Sequence, residues 1–304
     1  MTSLSGYRQP GHDLGYGQLT ESFRARLRSV QKTIVLVLLA ALLSACQTSD
    51  TLEVIRPTYA TPQPERFASV VVDGFSGKIL YQSSENAIRY PASLTKMMTL
   101  YLLFEAMQSG QVTKSSLIPI SANAAGQPPS KIGLKAGSTI DVDTAIRALT
   151  VKSANDIAVA VAEFVGGSEE QFAVRMTAKA RALGMNSTTF RNASGLHDPA
   201  QVTTAMDMAR LGLSLRKTFP AYYSYFSLRE FTVAGRTVTG HNRVLDMVAG
   251  ANGIKTGYTK ASGFNLVTSV ERNGKLIVAV IMGEDSAKVR DARMTMLVRA
   301  KMGG

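Results

Sequence analysis

The chain has 304 residues, of which 45% are hydrophobic, so it can bury the core of one large domain or two ordinary ones and is not a disordered protein. Its formal net charge of +12 favours a polyanionic neighbourhood, either nucleic acid or an anionic cell envelope. The globular part has no run of Lys and Arg and no recognisable nucleic-acid-binding motif, so we expect no nucleic-acid partner.

Residues 1–46 have the pattern of an export signal. An apolar run at residues 34–43 is shorter than the ~20 residues that a spanning helix prefers. Basic side chains precede it: Arg24, Arg26, Arg28 and Lys32. The run ends in Leu43-Ser44-Ala45-Cys46, which resembles the bacterial lipobox, where the cysteine becomes the lipidated first residue of the mature protein. Ordinary cleavage near Ala45, an uncleaved signal anchor and a later start codon remain alternatives.

Cys46 is the single cysteine of the chain, which excludes a disulfide framework. Residues 47–66 are polar and punctuated by proline, which is typical of a flexible linker. We therefore expect an exported protein on the periplasmic side of the envelope, anchored to the membrane through lipidated Cys46. The alternatives are a soluble periplasmic form and a signal-anchored one.

The folded part begins with a β-hairpin and a helix. Residues 67–73 and 78–81 are predicted strands, joined by a turn at residues 74–77. Residues 94–107 continue at helical periodicity after Pro91, which places Ser93 at or near a helix N-terminus. A short strand at residues 117–120 is followed by a loop rich in glycine and proline.

The middle of the chain is helical. Predicted helices cover residues 141–151, 156–165, 168–183 and 203–215. Lys152-Ser153-Ala154-Asn155 separates the first two, and residues 191–199 have the composition of a loop.

The character then changes to β. Predicted strands cover residues 231–234, 236–239, 254–256, 263–271 and 276–282. Gly235 and Asn273-Gly274 supply hairpin turns, and the second indicates a type I′ turn. A helix at residues 286–302 closes the chain. In it we expect Val289, Met296 and Leu297 to pack inward, and the basic side chains to stay in solvent: Lys288, Arg290 and Arg299. This order predicts an α/β (α+β) fold in which one sheet built from both chain ends receives an inserted all-helical lobe.

Ser93-Leu94-Thr95-Lys96 places a hydroxyl and an amine one helical turn apart. Such a serine is a candidate nucleophile, and the amine can accept its proton only when neutral. Ser-x-x-Lys alone is unspecific, because it also occurs at Ser29 and at Ser214.

Two further motifs give this pair its setting. Ser153-Ala154-Asn155 lies in the break between two helices, and Lys255-Thr256-Gly257 lies on a strand that enters a hairpin. Ser-x-x-Lys, a Ser-x-Asn element and Lys-Thr-Gly, in that order, are the signature of penicillin-binding proteins and class A β-lactamases.

The resemblance extends over residues 66–304. Four segments carry it: 91–96, 153–156, 192–196 and 253–259. Together they resemble the low-molecular-mass penicillin-binding proteins of the D-alanyl-D-alanine carboxypeptidase family. The resemblance implies a β-lactamase-like fold: an antiparallel sheet flanked by helices, with an all-helical lobe. We expect the catalytic domain to occupy residues 67–304, without the C-terminal β-rich domain that many such enzymes have.

For this family's acyl-enzyme chemistry, Ser93 would attack and Lys96 would take its proton. Ser153 and Lys255 would relay a proton to the departing amine, and the charge of Lys255 would keep Lys96 neutral. Asn155 would orient Lys96 and hold a substrate amide.

The rest of the predicted site receives the substrate. Backbone N–H groups of Ser93 and Tyr258 would form the oxyanion hole, and Thr256, followed by Gly257, would meet a terminal carboxylate. No metal or cofactor is required. His197 and His241 are too isolated to indicate zinc ligands, so we expect them to be structural.

The resemblance implies a serine D-Ala-D-Ala carboxypeptidase acting on peptidoglycan stem peptides and acylated by β-lactams. A D,D-endopeptidase that cleaves crosslinks uses the same chemistry and remains an alternative. A class A β-lactamase is less favoured, because residues 190–199 lack the glutamate that activates its deacylating water. A non-catalytic envelope binding protein would have no need of the proton relay.

Overall fold

The computed structural model describes residues 66–303. The predicted export signal with Cys46, and the predicted linker up to residue 65, lie outside the described residues. Among residues 66–303, no helix is both long and apolar enough to cross a membrane.

The strands are β1 Ala68–Asp73, β2 Ile79–Ser83, β3 Leu117–Pro119, β4 Thr139–Asp141, β5 Glu230–Val233, β6 Arg236–Thr239, β7 Ala251–Thr259, β8 Gly263–Arg272 and β9 Lys275–Glu284. The α-helices are α1 Lys96–Gln108, α2 Ala122–Gly126, α3 Val142–Arg147, α4 Asn155–Gly166, α5 Glu169–Ala182, α6 Ala205–Thr218, α7 Val244–Met247 and α8 Ala287–Met302. Short 3₁₀ segments cover Ala92–Thr95 and Pro220–Ser227, and a π-helical turn covers Ala148–Lys152.

The main sheet joins the two ends of the described chain, as the order of predicted elements indicated. Its strand order is β2-β1-β9-β8-β7, and every neighbouring pair is antiparallel. The β8–β9 hairpin turns at Asn273 and Gly274, whose φ angles of 51° and 70° are both positive, as a type I′ turn requires. The predicted fold class is confirmed.

Both faces of this sheet are buried. Helices α3 to α6 form the helical lobe. In β9, Val278 and Val280 pack towards this lobe, whereas the alternating residues Ile277 and Ala279 pack towards α8. This alternation follows from the two-residue period of a strand. Helix α4 has buried side chains all round, so it lies in the interior of the helical lobe.

One pairing was not predicted from the sequence. Residues 117–120 were predicted as a strand, but its partner β4 is three residues long and was missed, because so short a segment shows no periodicity. The hairpin of β5 and β6 was predicted, but it forms a separate two-stranded sheet instead of joining the main sheet.

The predicted inward face of α8 was only partly right. Leu297 packs against the buried side chains, and Lys288 and Arg299 are exposed, but three other residues differ from the prediction. Val289 and Met296 are 42% and 64% exposed, whereas Arg290 is only 4% exposed. The buried face instead carries Met294 and Val298 together with an ion pair in which Arg290 donates to Asp291. Apolar residues occur all round this helix, so their spacing does not reveal that a charged pair occupies the buried face.

Candidate active site

Ser93 lies in the 3₁₀ turn that opens α1, and the sheet fixes the entry to this turn. The side-chain amide of Asn265 on β8 donates to the carbonyls of Tyr90 at 3.0 Å and Pro91 at 3.1 Å. Its oxygen accepts from the backbone N–H of Gly283 on β9 at 2.9 Å. All of the hydrogen-bonding groups of this buried amide are therefore used to hold the turn against two strands, with Ser93 at the surface of the cleft.

Lys96 is fully buried one turn after Ser93. Its Nζ lies 3.2 Å from Ser93 Oγ, 2.7 Å from Asn155 Oδ1 and 2.5 Å from the carbonyl oxygen of Ser194. Burial, followed by the charge of Lys255, holds the pKa of Lys96 well below its usual range. A neutral amine has two N–H bonds and one lone pair. When Asn155 and Ser194 accept those two bonds, the lone pair is directed at Ser93.

Ser153 follows the π-helical turn in the break between α3 and α4. Its φ and ψ of 61° and 39° are left-handed, a conformation that costs a residue with a side chain about 1–3 kcal/mol. The side chain is 8% exposed, and its hydroxyl has no hydrogen-bond partner within residues 66–303. A strained residue with an unpaired buried hydroxyl is typical of a functional site.

Asn155 begins α4 and joins this break to Lys96. Its Oδ1 accepts from Lys96, and its Nδ2 donates to the carbonyl of Pro128 at 3.0 Å. The next residue, Asp156, is fully buried and accepts backbone N–H bonds from Ile132 and Gly133. The two side chains thus tie the loop before β4 to the start of α4.

Lys255 lies on β7, at the edge of the main sheet, and is 2% exposed. Burial, followed by the nearby charge of Arg290, lowers the pKa of Lys255 to about 7. Its Nζ donates to the carbonyl of Thr256 at 3.0 Å. Further along the strand, Tyr258 is 54% exposed and stacks on Phe264 with ring centroids 4.1 Å apart.

Two glycines allow the backbones around Ser93 to approach closely. A Cβ on Gly195 would lie 1.9 Å from the carbonyl oxygen of Ala92, and a Cβ on Gly257 would lie 3.1 Å from the backbone nitrogen of Ser93. Gly195 also has a φ of +84°, which side chains disfavour. The loop at residues 192–196 and strand β7 therefore close on the nucleophile turn from two sides.

These elements enclose a cleft of about 840 Å³ between β7 and the helical lobe. Most of the predicted site residues line it: Ser93, Ser153, Asn155, Thr256, Gly257 and Tyr258. Lys96 and Lys255 are buried beside the cleft. The structure thus brings the predicted residues of the folded part together, while Cys46 lies outside the described residues.

Sequence reasoning missed several residues of the cleft. His241, which we expected to be structural, lines it, and so do Arg243 and Arg290. Burial, followed by the charge of Lys255, lowers the pKa of His241. No short motif surrounds these three residues, so no signal in the sequence distinguished them. His197 fits a structural role, because its ring packs edge-on against Tyr90 at 4.9 Å.

The family model described as D-alanyl-D-alanine carboxypeptidase matches residues 57–286, which is most of the chain. The chain belongs to the D-alanyl-D-alanine carboxypeptidase family. It is 34% identical to D-alanyl-D-alanine carboxypeptidase DacA of Escherichia coli over 283 residues, covering 91% of this chain and 70% of that one. It is also 34% identical to DacF of Bacillus subtilis over 239 residues, covering 77% of this chain and 61% of that one. This chain therefore spans about two thirds of the length of these relatives.

A solved structure supports the same assignment. Penicillin-binding protein D2 of Listeria monocytogenes, in its cefotaxime-bound form, matches with a TM-score of 0.68 at 28% identity. The match covers 76% of this chain and 95% of that one. The family assignment and the fold therefore agree with the resemblance that the sequence motifs indicated.

Proposed function

We propose that this member of the carboxypeptidase family is a serine D-Ala-D-Ala carboxypeptidase. It removes the terminal D-alanine of peptidoglycan stem peptides through an acyl-enzyme at Ser93, and β-lactams acylate the same serine. The observation that carries the proposal is the Lys96 amine, which is fully buried 3.2 Å from Ser93 Oγ and has two other fixed acceptors.

Acylation begins with proton transfer from Ser93 Oγ to the lone pair of Lys96. The oxygen then forms a bond to the carbonyl carbon of the penultimate D-Ala, and the carbonyl electrons move to its oxygen. Backbone N–H groups of Ser93 and Tyr258 stabilise that oxyanion. The low pKa of Lys96 supports this step, because only a neutral amine can accept the proton.

The leaving group is the amine of the terminal D-Ala, which needs a proton as the C–N bond breaks. Ser153 donates its hydroxyl proton and is reprotonated from Lys255. The unpaired hydroxyl of Ser153 and the near-neutral pKa of Lys255, about 7, support this relay. The proton that Lys96 took from Ser93 then passes through the Ser153 hydroxyl to the neutral Lys255, so both amines return to their starting states. Water next attacks the ester carbonyl while Lys96 takes its proton. Lys96 gives this proton to the departing Ser93 oxygen, which releases the shortened peptide and restores Ser93.

The terminal carboxylate defines the substrate class. Thr256 and Gly257 lie on the edge strand β7, where an extended peptide can pair with the backbone. The cations of Lys255 and Arg290 lie beside them, and a carboxylate is the anion that a peptide end supplies there. These positions support recognition of a free C-terminus.

β-Lactams place a strained amide in the same cleft. Within residues 66–303, the only acidic side chain that lines the cleft is Asp291, which is paired with Arg290. The amine released from a β-lactam stays attached to the acyl group, so it remains in the cleft and hinders the approach of water to the ester. No glutamate lines the described cleft to activate water in the manner of class A β-lactamases, so the penicilloyl-enzyme should be long-lived.

The test is gel labelling with a fluorescent penicillin. The wild type becomes labelled, and Ser93→Ala does not. Ser214→Ala is the matched control, because Ser214 heads another Ser-x-x-Lys motif and its hydroxyl donates to Tyr101 away from the cleft. Absence of labelling in the wild type, or labelling of Ser93→Ala at the wild-type level, would contradict the proposal.

Substrate choice is tested separately. Free D-alanine is released from a pentapeptide by a carboxypeptidase, whereas an endopeptidase instead cleaves a crosslinked dimer. Release of D-alanine from the pentapeptide supports the proposal, and exclusive cleavage of the dimer contradicts it.

We further propose that the enzyme works at the periplasmic side of the envelope, held by lipidated Cys46. The apolar run at residues 34–43 and the lipobox pattern that ends at Cys46 support this location. Cys46→Ser should release the protein from washed membranes, and unchanged attachment of this variant would contradict the lipid anchor.

A further inference from the structure

Glu169 begins α5 outside the cleft, behind the loop at residues 192–196. Ser168 caps the helix, and the partly buried Glu169 carboxylate accepts the backbone N–H of Ala193 at 3.0 Å. Glu169 does not line the cleft and so touches no substrate there. Within residues 66–303, the Glu169 side chain forms its one hydrogen bond with this loop.

Two peptide groups beyond that bond, the same loop contacts Lys96. The Ala193 carbonyl accepts from the hydroxyl of Thr99 on α1 at 2.7 Å. One residue later, the Ser194 carbonyl accepts from Lys96 Nζ at 2.5 Å. Glu169 therefore holds the residue 193–194 segment at the Ala193 N–H, and the same segment supplies the Ser194 carbonyl as an acceptor to the Lys96 amine.

We propose that Glu169 is a positioning residue for the base: by accepting the Ala193 N–H, it holds the Ser194 carbonyl where it directs the Lys96 lone pair at Ser93. The inference rests on the proposed acyl-enzyme function. It assigns the role to the acceptor oxygen of Glu169 rather than to its charge. A glutamine, which keeps an acceptor oxygen, should serve, whereas an alanine should not.

The charge of Glu169 has a separate and opposite effect. Three charged groups act on Lys96 from different elements: Lys255 on β7, Asp156 on α4 and Glu169 on α5. The cation lowers the pKa of Lys96 and the two anions raise it. Removing the Glu169 charge therefore lowers the pKa of Lys96 further. In a plot of the acylation rate against pH, the acid limb, where the rate falls because Lys96 becomes protonated, should move to lower pH.

The test compares Glu169→Gln with Glu169→Ala. The second-order rate constant for acylation by a fluorescent penicillin is measured across pH. Glu169→Gln should keep the plateau within about threefold of wild type, since its amide oxygen replaces the acceptor. Glu169→Ala should lower the plateau about tenfold to a hundredfold, because a base displaced by about 1 Å loses that much rate. In both variants the acid limb should move to lower pH.

Glu170→Ala is the matched control, because Glu170 is the exposed neighbour in the same first turn. It should acylate like the wild type. Equal plateaus for Glu169→Gln and Glu169→Ala would overturn the positioning role. A loss of thermal stability in Glu169→Ala with an unchanged rate per folded molecule would also overturn it, because Glu169 would then be merely structural.

Penicillin labelling of the wild type distinguishes a failure of this inference from a failure of the proposed function. A labelled wild type with a fully active Glu169→Ala refutes only the role of Glu169. An unlabelled wild type refutes the acyl-enzyme itself, and the role of Glu169 is then withdrawn with it.

Discussion

Gly195→Ala should disable the nucleophile turn without touching any reacting group. The added Cβ would lie 1.9 Å from the carbonyl oxygen of Ala92, whereas real Cβ contacts essentially never fall below 3.0 Å. One of the two backbones must therefore retreat by about 1 Å. Ala92 precedes Ser93, and Gly195 follows the Ser194 carbonyl that accepts from Lys96. A shift of either segment separates hydroxyl and amine.

The expected magnitude follows from that distance. A displacement of about 1 Å between reacting groups lowers a rate about a hundredfold. The left-handed φ of +84° adds a destabilisation of about 1–2 kcal/mol for any residue with a Cβ. Gly195→Ala should therefore lower both the rate constant of penicillin acylation and the free energy of unfolding.

Gly137→Ala separates the two effects. Gly137 has nearly the same φ, +83°, but a Cβ there would meet nothing within 4 Å. Stopped-flow acylation and urea unfolding are measured for both variants. Gly137→Ala should lower only the free energy of unfolding, whereas Gly195→Ala should lower both the free energy of unfolding and the rate constant of acylation. If Gly195→Ala acylated at the wild-type rate, the close approach at Ser93 would have no catalytic importance and the reasoning would be refuted.

Other substitutions test the remaining parts of the site. Lys255→Met removes a cation that lowers the pKa of Lys96, so the acid limb of the acylation profile should move to higher pH; an unmoved limb would contradict the coupling. Ser153→Ala should lower the rate of D-alanine release about 10²-fold or more. Its free energy of unfolding, measured in urea, should stay within about 0.5 kcal/mol of wild type, because the Ser153 hydroxyl has no hydrogen-bond partner to lose within the described residues. The opposite pattern would make Ser153 structural. Asp156→Asn removes a fully buried carboxylate that accepts three backbone N–H groups. The free energy of unfolding in urea should fall by about 1–3 kcal/mol, and an unchanged value would contradict the anchoring role of Asp156.

Local patterns predicted the architecture well where periodicity was strong. The first strand, the helix after Ser93 and the Asn273-Gly274 hairpin follow from side-chain alternation, helical spacing and turn chemistry. The face of α8 could not be predicted this way, because Arg290 is buried with two partners, the Asp291 carboxylate and the Asn265 carbonyl on β8. The burial of this pair against β8 follows only from the packing of the helix on the sheet.

The same limit applies to the cleft. Ser93 and Lys96 are neighbours on one helical turn, so their contact follows from spacing alone. The acceptor that Ser194 supplies comes from 98 residues away, and it is a backbone carbonyl that no side-chain motif encodes. His241 and Glu169 likewise reach the site only through the tertiary fold.

The most direct test of the acyl-enzyme is to locate the bound penicillin. Trypsin cuts after Arg89 and after Lys96, so Ser93 falls in a seven-residue peptide that covers residues 90–96. After reaction with benzylpenicillin, mass spectrometry should find the intact penicilloyl group on this peptide, with fragmentation assigning it to Ser93. A penicilloyl group on another residue, or none on a protein that retains its fold, would contradict the account.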